Sequence, residues 1–186
     1  MRGMRLCVCL RGRRPLNDRE LQGVDLPSFD LCIEQAAWLR GARSRLLRRA
    51  QIQRRRVIVE LGAGWGTVAG ELCERTGGSV IAVDRRPQPD SVALHERIQW
   101  MVGRAEALPL ADNSVDLLFT QFTLLWTDLS SVVAEFVRVL VPGGVVAVIE
   151  PDYGGLMEHP KEIAIQQVWI AALKRAGADP CVGRKL

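Results

Sequence analysis

The most specific chemical pattern in the chain is the run Glu60-Leu61-Gly62-Ala63-Gly64-Trp65-Gly66. It follows the β-branched stretch Val57–Leu61 and leads into a helix-type segment, Thr67–Arg75, so it reads as a strand, a glycine turn and a helix. Glycines at such a turn let a ligand lie against bare backbone, and the helix N-terminus offers free N–H groups. About 20 residues further on, Asp84 closes a second apolar stretch, Ser79–Val83, where its carboxylate can accept hydrogen bonds from both hydroxyls of a ribose. A dinucleotide site needs G-x-G-x-x-G; here the last glycine comes one residue early, at Gly66, and Thr67 holds its place. The acid Glu60 would not help a pyrophosphate but would favour a cation. A ribose-linked ligand carrying an ammonium and a sulfonium suits this pattern better than a bis-phosphate does.

The surrounding elements alternate. Ser28 reads as an N-cap, and Trp38, Ala42, Leu46 and Ala50 recur at i+4 as one stripe of a helix running to about Ala50. Arg40, Arg43, Arg48 and Arg49 fall on its opposite side and read as a solvated basic face. Further strands are expected at Ile98–Val102, Val115–Phe119 and Val145–Ile149. Helices are expected around Ser91–Arg97, over Ser130–Leu140 and over Lys161–Arg175, with Pro142-Gly143-Gly144 as a turn. Strands this apolar are buried on both faces, and strands separated by helices cannot pair through tight hairpins. The expected fold is therefore α/β, a doubly wound parallel sheet of about five strands.

Composition narrows the function classes. The chain has 186 residues, 48% of them hydrophobic and 25% charged, which suits one packed domain and argues against disorder. The formal net charge of +4 hides an asymmetry: residues 1–56 carry 14 Arg against five acids, whereas the remainder is net acidic. Residues 1–27 read as an irregular basic segment and 28–186 as the domain. Five cysteines without a C-x-x-C pair argue against a disulfide framework and against a zinc site, so no metal is expected. No apolar run approaches the ~20 residues of a membrane span, and no signal peptide is evident, so a cytoplasmic protein is expected.

Four stretches in order, ELGAGWG at 60–66, Asp84, GRAEALPLADNSVDLLF at 103–119 and EFVRVLVPGGVVAVIEPDYGG at 135–155, resemble the class I S-adenosylmethionine-dependent methyltransferases, in particular the broad type 11 group. The resemblance implies a Rossmann-like sheet of order 3-2-1-4-5 behind an N-terminal cap helix, with S-adenosyl-L-methionine as cofactor. It implies cofactor contacts from Glu60, Gly62, Ala63, Gly64, Gly66, Asp84, Ala105, Glu106 and Gln121, with Arg85 adjacent by position. One position departs from the family pattern: Arg104 stands where an acid usually accepts from the adenine amino group, and an arginine has only donors. The reaction implied is in-line transfer of a methyl group, which needs alignment in a dry site and no fixed catalytic residue.

Acceptor-side candidates follow strands four and five, because ligands of open α/β sheets bind at the carboxyl ends of strands. They are Gln121, Trp126, Asp152, Tyr153 and His159, with Tyr153 near the methyl group and His159 as a candidate base. For Trp126 and His159 the competing expectations are a core role and a place at the start of a helix. The segment after strand four is Phe119-Thr120-Gln121-Phe122, not Asn/Asp-Pro-Pro-Tyr, which argues against methylation of DNA bases. A small organic acceptor is expected. The alternatives are a catalytically silent binding module and an RNA methyltransferase using the basic front end. Set against the family, the chain is expected to lack the C-terminal hairpin, which would leave a sheet edge for a second copy or another partner to cover.

Overall fold

The computed structural model describes residues 27–90, 95–160, 162 and 164–186. The basic N-terminal segment up to Leu26 and the core of the helix expected around Ser91–Arg97 lie outside the described residues. The chain runs α1 (Phe29–Arg49), β1 (Val57–Leu61), α2 (Ala69–Arg75), β2 (Ser79–Asp84), β3 (Ile98–Val102), β4 (Val115–Gln121), α3 (Leu129–Val139), β5 (Leu140–Ile149) and α4 (Ile165–Arg175). The strands form one sheet in the order β3-β2-β1-β4-β5, and every pair is parallel. This is the doubly wound arrangement expected.

Alternate residues of each central strand feed two cores. Ile58, Val80, Ala82, Leu117 and Phe119 pack under α1 and α2 with Leu47 and Leu72. Val59, Leu61, Ile81, Val83 and Leu118 pack on the other face with Val132 and Phe136 of α3. Both faces of the sheet are covered, which is why its strands read as continuous apolar runs.

Capping sets the helix ends. Ser28 Oγ accepts from Leu31 N–H at 3.3 Å to start α1, and Asp128 accepts from Ser131 N–H at 2.9 Å to start α3.

Three expectations need correction. The buried residues of α1 and its C-cap are Ala36, Arg43, Leu47 and Ala50; of the expected stripe, Ala50 is buried and Leu46 packs against the core, whereas Trp38 and Ala42 face solvent. Trp38 is 77% exposed, whereas Arg43, expected in solvent, is only 2% exposed. The i+4 pattern could be drawn through either stripe; burial of a guanidinium became affordable because every side of Arg43 meets an acceptor, as described below. Pro142-Gly143-Gly144 is not a free turn: β5 begins at Leu140, and its register with β4 slips between Val115 and Leu117, so the three residues bulge within the strand. Helix α4 begins at Ile165, not at Lys161.

Candidate functional site

Strands β2 and β4 lie on either side of β1, so the connections leaving the carboxyl ends of these strands diverge there. This is the position at which open parallel sheets hold ligands. A cavity of about 330 Å³ opens at this point, within the range of about 300–1,000 Å³ for small-molecule sites.

The glycine turn forms its floor. Gly62 and Ala63 N–H donate to Val83 O at 2.8 and 3.1 Å, tying the turn to the end of β2. Gly62 has φ +74°, and a Cβ there would stand 2.1 Å from Thr123 Oγ1. Only glycine therefore fits between β1 and the segment after β4. Beside the turn, Asp84 Oδ2 accepts from Gly64 N–H at 2.8 Å and Oδ1 from Arg86 N–H at 3.0 Å. These bonds orient a carboxylate on the cavity wall.

Glu60 and Gln121 face the cavity from the ends of β1 and β4. Glu60 is 4% exposed, and its Oε2 has no hydrogen-bond partner. Burial pushes its carboxyl up to about 8; the charge of Arg43 opposes that rise, while Asp84 and Glu71 reinforce it. Arg43 reaches in from α1. Its Nε donates to Glu71 Oε2 at 2.9 Å, its Nη1 to Gln121 Oε1 at 3.1 Å and its Nη2 to Ala36 O at 3.0 Å, while Nη2 also contacts Glu71. Glu71 pairs in turn with Arg75 at 2.7 Å.

The far wall comes from the segment after β3. Arg104, Ala105 and Glu106 all line the cavity. Arg104 bridges to Ala107 and lies 3.5 Å from Glu106 Oε2. Ala105 is buried, and Arg85 also lines the cavity.

The remaining wall is apolar: Phe122, Leu125, Trp126, Tyr153 and Leu173. The Tyr153 ring stacks on Trp169 with centroids 6.4 Å apart and planes 11° apart. Gln166 Nε2 donates to the carbonyls of Tyr153, Gly154 and Leu156 at 3.0, 3.2 and 3.1 Å, pinning the turn that presents Tyr153. Among the other expected residues, Gly66 belongs to the turn, where its N–H donates to Ala63 O at 2.7 Å. Asp152 pairs with Arg184 at 2.9 Å, and His159 is exposed; neither lines the cavity.

Glu150 escaped the sequence reading. Its Oε1 accepts from Thr123 and Leu124 N–H, both at 2.7 Å, and so ties the end of β5 to the segment after β4. Burial pushes its carboxyl up to about 7 against these bonds. Its place directly after an apolar strand, before Pro151, was the available signal. Thr123 was missed too, because nothing in its sequence context marks the contact with Gly62.

The donor set can be tested against a cofactor. The turn from Glu60 to Val68 carries no Lys or Arg to meet a pyrophosphate. Two buried carboxyls flank it instead, one with an unpartnered oxygen suited to an ammonium and one oriented for a ribose. The residues fit a cationic, ribose-bearing cofactor. Among the described residues no cluster suits a metal ion, and no helix is long and apolar enough to cross a membrane.

Comparison with known proteins agrees with this chemistry. The methyltransferase domain family matches residues 59–148. An uncharacterized methyltransferase of Mycobacterium tuberculosis is 40% identical over 92 residues, 48% of this chain and 37% of that protein. The ubiquinone/menaquinone biosynthesis C-methyltransferase UbiE of Rubrivivax gelatinosus is 37% identical over 126 residues, 64% of this chain and 46% of its own length. The chain thus spans less than half the length of these relatives. Among solved structures, a putative type II methyltransferase from Anaeromyxobacter dehalogenans superposes with a TM-score of 0.52 at 27% identity, covering 72% of this chain and 57% of that one. A putative sarcosine dimethylglycine methyltransferase from Galdieria sulphuraria shares the fold, with a TM-score of 0.56 at 24% identity, covering 82% of this chain and 61% of that one. Sheet order, glycine turn, acid pair and matched segment together support a class I S-adenosylmethionine-dependent methyltransferase.

Proposed function

We propose that the protein transfers the methyl group of S-adenosylmethionine to a small organic acceptor whose reacting part is held by apolar side chains. The observation that carries this reading is the division of one cavity into two halves. Glu60, the Gly62–Gly64 turn and Asp84 make a half whose glycine turn carries acids and no Lys or Arg, and Leu125, Trp126, Tyr153 and Leu173 make an apolar half.

When bound, S-adenosylmethionine supplies an electrophilic methyl group on a sulfonium. The chain's own residues have the remaining tasks of binding, aligning and drying the site. Asp84, already oriented by two backbone N–H groups, would take the ribose hydroxyls. Backbone of the glycine turn and the buried Ala105 would lie against the rest of the nucleoside, with Arg85 and Glu106 at the rim. The apolar wall excludes water from the acceptor. Burial, then the charge of Glu150, holds the Tyr153 phenol above its ordinary value, so at neutral pH it offers an O–H that orients an acceptor rather than a base that deprotonates it. An acceptor that is already nucleophilic needs no more. The apolar wall of Leu125, Trp126 and Leu173 around the acceptor end of the cavity favours a small molecule over RNA.

Isothermal titration with S-adenosylhomocysteine tests the reading. One equivalent should bind, and Asp84→Ala should weaken binding at least about tenfold, as expected for lost hydrogen bonds to a charged acceptor. Absence of binding by the wild-type protein would overturn the assignment.

A further inference from the structure

We infer that α1 is part of the cofactor site, and that its buried Arg43 is a positioning residue which turns the Gln121 amide so that its NH2 group addresses the carboxylate of the cofactor's amino-acid end. The inference rests on the assignment of the cavity to S-adenosylmethionine.

The geometry constrains the amide. A guanidinium has only donors, so the group Gln121 turns toward Arg43 Nη1, 3.1 Å away, must be its oxygen. The NH2 end of the same planar amide then points away from Arg43, on a residue that lines the cavity. Glu60 stands on the adjacent strand, two residues back in register and so on the same face, since Leu61 pairs with Thr120 and Glu60 with Phe119. Its Oε2 is buried without a partner. An unpartnered carboxyl oxygen beside an amide donor matches an α-amino acid head, the acid for the ammonium and the amide for the carboxylate. Asp84 serves the ribose on the other side of the turn.

Arg43 can hold this arrangement because it is itself held. Glu71 and Ala36 O take its other donors, and Arg75 braces Glu71. The near end of α1 is also fastened to the glycine turn: Trp65 Nε1 donates to Pro27 O at 2.9 Å, and the Trp65 ring meets Phe29 edge-on at 5.8 Å. Cys32 and Gln35 of α1 line the cavity directly. This helix lies outside the segment that matches the family, residues 59–148, so the chain supplies this support from its own N-terminal part.

The test compares S-adenosylhomocysteine with 5′-methylthioadenosine, which keeps the nucleoside and lacks the amino-acid end. Each is titrated calorimetrically into wild-type, R43M and Q121E protein, with melting temperatures recorded alongside. Q121E keeps an acceptor for Arg43 and removes the donor, so it should stay folded. Both variants should bind S-adenosylhomocysteine about tenfold or more weakly, the effect of one hydrogen bond to a charged group, while 5′-methylthioadenosine binds within about twofold of wild type. A merely structural role would lower the melting temperature of R43M and leave the ratio of the two affinities unchanged. An unchanged ratio in Q121E overturns the inference whether or not R43M folds. Wild-type protein that binds 5′-methylthioadenosine as tightly as S-adenosylhomocysteine overturns it too. Binding of neither compound by wild type overturns the cofactor assignment along with it.

Discussion

Replacement of Gly62 by alanine should be costly for two separable reasons. The residue has φ +74°, a conformation that costs an L-residue about 1–2 kcal/mol. The new methyl group would also stand 2.1 Å from Thr123 Oγ1 and 2.5 Å from its Cγ2. Thr123 cannot simply step aside. Its N–H donates to Glu150 at 2.7 Å, and its hydroxyl lies 3.1 Å from Gln121 O and 3.3 Å from Leu61 O. Forcing it out resembles overpacking a core, about 1–3 kcal/mol more. G62A should therefore lose about 2–5 kcal/mol, which for a chain of this size lowers the melting temperature by about 5–20 °C. The decisive assay is a double-mutant cycle by urea denaturation. T123A alone loses a hydroxyl with modest partners and should cost about 0.5–1.5 kcal/mol. It removes the two nearest clashing atoms, so the double mutant should be more stable than the two single losses predict by at least about 1 kcal/mol. A cost for G62A below about 1 kcal/mol, or strict additivity, would refute the reasoning.

Two further outcomes follow from charged side chains. Glu60 has its folded value raised to about 8 from 4.5, so the folded state keeps a proton the unfolded chain has released. Stability without cofactor should fall as pH rises from about 5 to 8, by up to roughly 1 kcal/mol per pH unit, and E60Q should flatten the urea-midpoint profile; an unchanged slope in E60Q would contradict the assignment. Arg138 donates to Leu108 O at 3.0 Å, Leu110 O at 2.8 Å, Asp112 at 2.7 Å and Glu135 at 2.7 and 2.8 Å, clamping the segment that carries the far cavity wall. R138M should cost about 1–3 kcal/mol in urea denaturation, because the carbonyls of Leu108 and Leu110 lose a charged donor while Glu135 keeps Leu108 N–H, and a loss below about 0.5 kcal/mol would show that these bonds are replaced by water.

What the sequence made legible is local or periodic. The five strands, the glycine turn and the two acids came from apolar runs and fixed spacings, which backbone geometry enforces directly. What it hid are contacts set by tertiary packing. Trp38 and Ala42 satisfy a helical stripe as well as Ala36 and Leu47 do, and only the position of Glu71 and Gln121 on neighbouring elements decides that Arg43 goes inward. The Pro-Gly-Gly run has the composition of a turn, yet the ladder with β4 carries β5 through it as a bulge. Glu150 and Thr123 are unremarkable in sequence, and each acquires its role from a partner far along the chain. His159, by contrast, had a suitable side chain at a suitable spacing, and the turn after Tyr153 carries it away from the cavity.

The ties of Arg43 also bear on how this protein can be divided. The match to the methyltransferase domain family runs from residue 59 to residue 148, which invites the view that this segment is an independent module. A protein cut there would keep Glu71 with Arg75 but without the buried Arg43. It would also lose Leu47 and Ala50 from one core and the backbone bond from Tyr153 N–H to Pro180 O that secures the opposite end. The segment that matches the family and the segment joined by these contacts are thus different lengths of chain, and the second includes both flanks.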